Sequence, residues 1–259
     1  MGKFDGFLFC TDCDGTLMDS QGKISPENAA AIRHFQQEGG LFTVATGRGA
    51  AHIRQFTDDF VPNAPLVICN GCFVVDHQTG EVMQKYLLDE KVHRVIDYAV
   101  DRFPSLQAIR IVYDQDGAFD MGYGDKPGFD QRYRIPDPWT KILFVAEPRA
   151  TRRIQRRLTA LFGDEYTFER SFRFCVECYR PESGKGGGVA VLRRLYGDRI
   201  HTVIGAGDSE NDISLLNEAD IGYAVANALP SVKAAAGRVT VSNDSSAIAR
   251  ILEELEAAL

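Results

Sequence analysis

The sequence predicts an α/β protein: a Rossmann-like core with a parallel sheet and helices on both faces, plus an inserted α+β cap. Two observations carry this prediction. Apolar strand-like runs alternate with helical patterns over residues 6–69 and again after residue 187, whereas hairpin patterns fill the middle of the chain. We therefore expect residues 1–85 and 179–259 to form the catalytic core and residues 86–178 to form the cap.

The first third of the chain has the order of elements typical of a parallel sheet. Residues 6–12 are almost continuously apolar, as in a strand that is buried on both faces. Ser25-Pro26-Glu27 combines a capping hydroxyl with Pro at the first helical position, and Gly39-Gly40 ends the helix that begins there. Further predicted elements are strands at 41–45 and 66–69, a helix at 49–58, and a hairpin of 72–76 with 81–86.

The middle of the chain predicts a separate α+β module, and the last third returns to strand–helix alternation. A helix at 89–103 opens the module, the turn Asp114-Gln115-Asp116-Gly117 separates two of its strands, and prolines predict a loop at 124–138. The other predicted strands are 107–113, 117–122, 140–146, 165–170, 173–179, 201–205, 221–225 and 238–241, and the other helices are 149–162, 187–196, 210–217, a short one after 225, and one from 244.

Composition limits the classes of function. The 259-residue chain has a formal net charge of −7, which disfavours nucleic acid as a partner because nucleic-acid binding relies on neutralising phosphates. No apolar run approaches the ~20 residues of a membrane-spanning helix, and the first residues lack an apolar signal segment. We expect a cytoplasmic protein that does not bind membranes, and its oligomeric state stays open.

The six cysteines allow two interpretations. A C-x-x-C spacing occurs in zinc and redox sites. Alternatively Cys10, Cys69, Cys175 and Cys178 are small buried apolar residues in strands. Two residues three apart in a strand point to opposite faces, so such a pair cannot chelate one ion. We favour the second interpretation, which stoichiometric zinc in the purified protein would overturn. The pairs are Cys10/Cys13, Cys69/Cys72 and Cys175/Cys178.

A pair of carboxylates follows the first predicted strand. In Asp12-Cys13-Asp14-Gly15-Thr16, two acids leave a buried strand, which is costly unless a cation or hydrogen bonds compensate them. One carboxylate can act as a nucleophile that forms an acyl phosphate, and the other can protonate the leaving oxygen and later deprotonate water. The pattern indicates catalysis rather than packing.

Two further segments offer contacts for a phosphoryl group. Thr46-Gly47-Arg48 follows a predicted strand and joins a hydroxyl to a glycine that exposes backbone N–H groups, although Thr-Gly is also an ordinary turn. Lys185 lies among glycines at a helix start, but Gly186 stands where a P-loop needs Ser or Thr. Because ligands bind beyond the carboxyl ends of parallel strands, we expect both segments near Asp12.

A fourth segment, Gly205-Ala206-Gly207-Asp208-Ser209-Glu210-Asn211-Asp212, predicts a metal site. It starts like a dinucleotide-binding fingerprint, but Glu210 replaces the third glycine. Asp208 and Asp212 beside a strand end suit Mg²⁺, which binds through one or two carboxylates, waters and substrate phosphate.

These four segments, in this order, resemble those of the haloacid dehalogenase-like phosphatases, in particular the Cof-type branch with an α/β cap between the second and third motifs. Ile68-Cys69-Asn70-Gly71, Glu177 before Lys185, and residues 220–228 extend the resemblance. In the cap it rests on the order of elements alone. The chain departs from the family pattern at Cys13 and Cys72, neither of which has a catalytic role there.

The resemblance implies a role for each motif residue. Asp12 would be the nucleophile and a Mg²⁺ ligand, and Asp14 the general acid/base that gives its backbone carbonyl to the metal. Asp208 would be the remaining protein ligand of Mg²⁺. The phosphoryl group would be bound by Thr46, Gly47, Lys185 and Asn211, and the site would be supported by Thr16, Arg48 and Asp212.

The expected activity is Mg²⁺-dependent hydrolysis of small organic phosphomonoesters, such as sugar phosphates, under a cap that closes over the leaving group. A phosphomutase, which isomerises a sugar phosphate without releasing phosphate, is an alternative. A non-catalytic protein that binds a phosphorylated metabolite is another. The sequence does not rank the cap candidates for contact with the leaving group, which are Arg110, Arg134, Arg173 and Tyr179.

Overall fold

The computed structural model describes residues 2–56, 60–117, 119–123 and 138–259. In chain order its strands are β1 (Phe7–Thr11), β2 (Leu41–Val44), β3 (Leu66–Ile68), β4 (Phe73–Val75), β5 (Val82–Lys85), β6 (Leu106–Val112), β7 (Phe119–Tyr123), β8 (Lys141–Ala146), β9 (Thr167–Phe172), β10 (Cys175–Tyr179), β11 (Thr202–Gly207), β12 (Ile221–Ala224) and β13 (Arg238–Val239). Its α-helices are α1 (Pro26–Gln37), α2 (Ala50–Ile53), α3 (His93–Arg102), α4 (Pro148–Phe162), α5 (Gly184–Tyr196), α6 (Ile213–Glu218), α7 (Pro230–Ala235) and α8 (Ala247–Glu256).

A parallel sheet of five strands, in the order β13-β12-β11-β1-β2, confirms the predicted core. The first strand of the chain lies inside this sheet, where Phe9 pairs with Ile204 of β11 on one side and with Phe42 of β2 on the other. Because all the strands run the same way, the residues that follow β1, β2 and β11 meet at one edge of the sheet.

Helices cover both faces of the parallel sheet, as the apolar run of β1 predicts. Phe9 packs in one cluster with Phe35 of α1 and Ile251 of α8. Its neighbour Leu8 points to the other face, where it packs in a cluster that includes Val189 of α5. Side chains in a strand alternate between faces, so β1 has to be apolar at successive positions.

The predicted hairpin is present and forms a small sheet of its own. Strands β3, β4 and β5 pair antiparallel in that order, and a single parallel bridge between Ala45 and Val67 joins β3 to the end of β2. Between β3 and β4 the chain takes positive φ angles at Cys69 (53°), Asn70 (57°) and Gly71 (73°). Such angles are uncommon for residues other than glycine.

A separate antiparallel sheet, ordered β7-β6-β8-β10-β9, forms the inserted α+β part of the fold. Helices α3 and α4 cover one of its faces, where Ile96 and Leu158 pack in one cluster with Ile142 of β8. Since side chains alternate along a strand, Lys141 and Glu177 fall on the opposite face. That face meets the core beside the residues that follow β2 and β3.

The structure refines several predicted boundaries. Helix α5 begins at Gly184, three residues before the predicted start, so Lys185 lies in its first turn. Helix α8 begins only at Ala247, because Ser246 has a left-handed φ of 55° that a helix cannot include. The predicted loop at 124–138 lies almost wholly outside the described residues. No helix in the described part of the chain is long and apolar enough to span a membrane.

Candidate active site

The strand order explains why distant motifs meet. Asp12 follows β1, Thr46 lies just beyond β2, and Asp208 follows β11, and β1 lies between the other two strands. The backbone N–H of Asp12 donates to the carbonyl oxygen of Ala206 at 2.9 Å, which extends the pairing of β1 with β11 to the motif itself. The structure therefore brings together the candidate residues of all four segments at one edge of the sheet.

A tight turn carries the first motif away from β1. The backbone N–H of Leu17 donates to the carbonyl oxygen of Asp12 at 3.3 Å, and that of Met18 to Cys13 at 2.9 Å. Gly15 takes a φ of 77° in this turn, and a Cβ atom there would lie 2.9 Å from an Asp208 carboxylate oxygen. Glycine is therefore the residue that allows both the turn and the close approach of Asp208.

Lys185 reaches the acids from the first turn of α5. Its Nζ lies 2.6 Å from Asp12 Oδ1 and 2.5 Å from Asp212 Oδ1, and the lysine is only 1% exposed. Burial alone would lower the pKa of Lys185, but the two carboxylates raise it above its usual value, so the side chain keeps its positive charge.

Asp212 and Asp208 differ in how their oxygens are used. Asp212 Oδ2 accepts the backbone N–H groups of Asp208 and Ser209, each at 2.9 Å, and its other oxygen binds Lys185. Asp208 accepts hydrogen bonds from the hydroxyls of Ser209 at 3.1 Å and Thr16 at 3.5 Å. Burial, followed by the neighbouring Asp212, raises the pKa of Asp208 to about 6. Asp212 therefore holds the backbone of residues 208–209 in place, whereas the Asp208 carboxylate accepts hydroxyl groups.

The donor set fits a divalent cation. Carboxylate oxygens of Asp12, Asp208 and Asp212 lie within 4.8 Å of one another, and Lys185 is the ammonium that contacts this cluster. Three carboxylates beside one ammonium leave two negative charges uncompensated, and burial with these neighbours raises the pKa of Asp12 well above its usual value. Mg²⁺ prefers oxygen ligands and would balance both charges. Of the three acids in the cluster, Asp12 and Asp208 are the ligands that the sequence analysis predicts.

The carboxylate of Asp14 lies outside this acidic cluster and pairs with Arg48. Arg48 Nε donates to Asp14 Oδ2 at 2.7 Å, and Nη2 donates to Oδ1 at 2.5 Å, in a bidentate geometry. This pairing raises the pKa of Arg48 further above its usual value. The side chain of Asp14 is therefore bound to Arg48. Of its atoms, the backbone carbonyl oxygen remains the candidate ligand for Mg²⁺, whereas Asp12 and Asp208 offer carboxylates.

The candidate phosphate-binding residues surround Asp12. Thr46 is buried, and its Oγ1 accepts the backbone N–H of Arg48 at 3.2 Å. Asn211 donates from Nδ2 to Asn70 Oδ1 at 3.1 Å. Asn70 enters the sequence analysis only through the family resemblance. In the structure it contacts a candidate phosphate-binding residue and so lies next to the site.

A cavity of about 340 Å³ opens over these residues and is also lined by two residues of β9, a strand of the separate antiparallel sheet. Ser171 and Phe172 line it together with Asp12 and Lys185. The sequence contains no signal for them, because their position depends on how the antiparallel sheet packs on the core. Of the candidates named for the leaving group, Arg110, Arg173 and Tyr179 are not among the residues that line this cavity, and Arg134 lies outside the described residues.

The cysteines match the second interpretation of their spacing. All six are free and buried. Burial raises the pKa of each thiol, to about 11 for Cys69 and about 12 for Cys72, so these thiols have little thiolate character. Within the described residues, the group of side chains that could hold a metal consists of carboxylates rather than cysteines.

Comparison with known proteins identifies the family. The family described as haloacid dehalogenase-like hydrolase matches residues 9–252, so the chain belongs to it, as its motifs suggested. A solved haloacid dehalogenase-like hydrolase from Bacteroides thetaiotaomicron is 25% identical, with a TM-score of 0.75, and the match covers 98% of this chain and all of that one. The predicted fold class is confirmed.

Two curated relatives are phosphatases. A 5-amino-6-(5-phospho-D-ribitylamino)uracil phosphatase of Bacillus subtilis is 24% identical, and the match covers 94% of this chain and 96% of the relative. An HMP-PP phosphatase of Klebsiella pneumoniae is 25% identical, and the match covers 92% of this chain and 90% of the relative. The expected class of enzyme, a phosphoric monoester hydrolase, is confirmed at the level of the family.

Proposed function

We propose that the protein is a Mg²⁺-dependent phosphatase that hydrolyses small phosphomonoesters through an aspartyl-phosphate on Asp12. The observation that carries the proposal is the position of this carboxylate. It is 5% exposed, its Oδ1 lies 2.6 Å from Lys185 Nζ, and it shares an acidic cluster with Asp208 beneath a cavity. Mg²⁺ bound there would neutralise charge on the carboxylates and on the phosphoryl oxygens.

In the first step, an oxygen of Asp12 attacks the phosphorus atom and the bond from phosphorus to the leaving oxygen breaks. The leaving oxygen takes a proton from Asp14, which lies on the same turn and lines the same cavity. Lys185 and Thr46, which line the cavity, donate hydrogen bonds to the phosphoryl oxygens and so stabilise their charge.

In the second step, Asp14 takes a proton from a water molecule, whose oxygen attacks the phosphorus of the acyl phosphate. The bond between phosphorus and Asp12 breaks, which releases inorganic phosphate and restores the carboxylate. Asp14 is ionised at this point because it gave its proton to the leaving oxygen in the first step, and its contact with Arg48 holds the carboxylate at the cavity.

The substrate we propose is a small phosphorylated metabolite such as a sugar phosphate. The cavity of about 340 Å³ lies at the small end of the range for ligand sites, about 300–1,000 Å³. The Bacillus relative is named for a phosphorylated ribityl compound, which supports a substrate of this size. We also propose that residues 86–178 act as a cap, and that Ser171 and Phe172 are its contacts with the leaving group.

The proposal is tested by measuring phosphate release from a panel of sugar phosphates, nucleotides and other phosphomonoesters, with Mg²⁺ and with excess chelator. We expect release that depends on Mg²⁺ and a loss of at least about 1,000-fold in Asp12→Asn, since the nucleophile is removed. Asp164→Asn, an exposed acid of the cap, is the matched control and keeps full activity.

Two outcomes would contradict the proposal and favour an alternative. Isomerised sugar phosphate without released phosphate would indicate a phosphomutase. Tight binding of a phosphorylated metabolite with no turnover would indicate a non-catalytic binding protein.

A further inference from the structure

A second buried ion pair lies outside the acidic cluster. Lys141 of β8 and Glu177 of β10 are 3% and 1% exposed, and Lys141 Nζ lies 2.5 Å from Glu177 Oε2. Burial alone would lower the pKa of Lys141, but the Glu177 carboxylate more than offsets this, and the pKa is raised. A buried ion pair adds little net stability compared with apolar residues of similar size. Since stability does not explain the pair, its other contacts indicate its role.

Both members of the pair reach from the cap sheet into loops of the core. Lys141 Nζ also donates to the carbonyl oxygen of Gly47 at 3.1 Å. Glu177 Oε2 also accepts a hydrogen bond from Asn70 Nδ2 at 2.9 Å, and its Oε1 accepts one from the Ser171 hydroxyl. Lys141 therefore contacts the loop after β2, and Glu177 contacts the turn after β3.

The contact at Gly47 acts on the hydroxyl of Thr46. The peptide group between Gly47 and Arg48 is held at both ends, because its carbonyl oxygen accepts from Lys141 and its N–H donates to Thr46 Oγ1 at 3.2 Å. A cation at the carbonyl makes the N–H of the same peptide a stronger donor. This bond fixes the position of Thr46 Oγ1, and the hydroxyl, which also makes a hydrogen bond with Cys13, can rotate to donate to a phosphoryl oxygen.

The contact at Asn70 holds the turn after β3, which lies beside Thr46 and Gly47. Asn70 donates its backbone N–H to the carbonyl oxygen of Thr46 at 2.8 Å, and its carbonyl oxygen accepts from Gly184 at 2.8 Å, one residue before Lys185. Its side chain accepts from Asn211. Asn70 has a φ of 57°, a left-handed angle that asparagine adopts more readily than most residues and that these contacts hold in place. Glu177 supplies one of these contacts.

We propose that Lys141 and Glu177 are positioning residues, which hold Thr46 and Asn70 in the geometry that binds a phosphoryl group. They act through Gly47 and Asn70, and neither is among the residues that line the cavity. The inference rests on the proposed function, because it assigns the pair to the binding of phosphate. It predicts an effect on phosphate affinity and on turnover that exceeds any effect on stability.

The test uses the full-length double variant Lys141→Met/Glu177→Gln, which removes both charges together and leaves an acceptor for Asn70. Arg180→Gln is the matched control, because it removes the exposed ion pairs of Arg180 with Asp89 and Glu182 but touches neither loop. Unfolding temperature, kcat and KM, and inhibition by inorganic phosphate are measured for each protein at a temperature where all are folded.

For the double variant we expect an unfolding temperature close to that of the wild type, because neutral replacement of a buried pair is often tolerated. We expect kcat/KM to fall about 10- to 100-fold, the usual effect of misplacing a binding group. The inhibition constant of phosphate should rise by a similar factor, whereas the Mg²⁺ concentration for half-maximal activity should not change. A folded double variant with wild-type kcat/KM and phosphate inhibition would overturn the proposal.

Two further measurements keep the proposal testable. If the double variant does not fold, Asn70→Gly replaces it, since glycine accepts the positive φ and only the side-chain contacts are lost. Wild-type phosphate inhibition in that variant would overturn the proposal. If the wild type hydrolyses no phosphomonoester, the proposed function fails, but amide hydrogen exchange still tests positioning. We expect exchange in residues 46–48 to be about tenfold faster in the double variant. Exchange at the wild-type rate would contradict the positioning role of Lys141 and Glu177.

Discussion

Two buried lysines of this protein contact carboxylates, but the net charge around them differs. Lys185 contacts Asp12 and Asp212 beside Asp208, so that negative charge is in excess. Lys141 pairs with Glu177, and the two charges balance. An excess of buried negative charge attracts a cation, whereas a balanced pair fixes the parts that it joins. We therefore assign the reaction to the surroundings of Lys185 and positioning to those of Lys141.

The largest expected effect separates the two lysines. In Lys185→Met the side chain keeps its length but loses its charge, so that one positive charge opposing the three carboxylates and the anionic phosphoryl group is removed. We expect kcat/KM to fall about 1,000-fold, the upper range for removing one preorganised donor, and therefore more than in the variant of the Lys141 pair. Phosphate release is compared with that of Lys233→Met, a half-buried lysine whose Nζ contacts the Ala226 carbonyl oxygen. Equal activity of Lys185→Met and Lys233→Met would contradict the assignment of the reaction to the surroundings of Lys185.

A smaller effect tests the excess of negative charge without turnover. Mg²⁺ that binds only the folded state at 100 times its Kd stabilises it by about 2.7 kcal/mol, which raises the unfolding temperature by roughly 5–10 °C. We expect this rise in the wild type and in Glu177→Gln, whose charge lies in the balanced pair. Asp208→Asn, which loses a ligand, should show little of it. A wild type whose unfolding temperature does not respond to Mg²⁺ would contradict the assignment of the metal site.

The smallest effect concerns Glu169, an acid of the cap sheet near both lysine sites. Burial raises the pKa of Glu169 to about 7; the hydrogen bond from Tyr179 and the charge of Lys185 lower it, and Glu177 and Asp212 raise it. Between pH 4.5 and 7 the unfolded chain has lost this proton while the folded protein keeps it. The free energy of unfolding therefore falls as the pH rises through this window.

We expect Glu169→Gln to be more stable than the wild type at pH 8 by roughly 1–3 kcal/mol, given about 1.4 kcal/mol per pKa unit, and to have no such advantage at pH 4. Gln can still accept the hydrogen bond from Tyr179. Urea unfolding of both proteins at the two pH values measures the difference. The same difference at both pH values would show that Glu169 does not titrate in this window.

The sequence locates the parts of the site that depend on the ends of strands. Asp12, Thr46 and Asp208 each follow an apolar strand, and parallel strands place their carboxyl ends at one edge, so the proximity of these residues is predictable. Lys185 is predictable only as a lysine at a helix start. The contact of its Nζ with Asp12 and Asp212 depends on how α5 packs beside β1 and on the exact start of this helix.

The sequence does not reveal the pairing of Lys141 with Glu177, because it depends on the register between β8 and β10, where Glu177 lies opposite Leu143. One signal was available. Each of these two strands is otherwise largely apolar and contains a single charged residue, and a buried charge requires a partner of opposite sign. Ser171 and Phe172 had no comparable signal, since the packing of the cap on the core determines their approach to the cavity.

The most direct test of the central claim is chemical trapping at Asp12. The enzyme is mixed with Mg²⁺ and a phosphomonoester that it hydrolyses, quenched during the first turnover and reduced with borohydride, which converts an aspartyl phosphate to homoserine. Peptide mass mapping then locates the modified residue. We predict homoserine at position 12 in the presence of substrate and its absence without substrate. Turnover with modification at a different acid, or full activity of Asp12→Asn, would contradict the account.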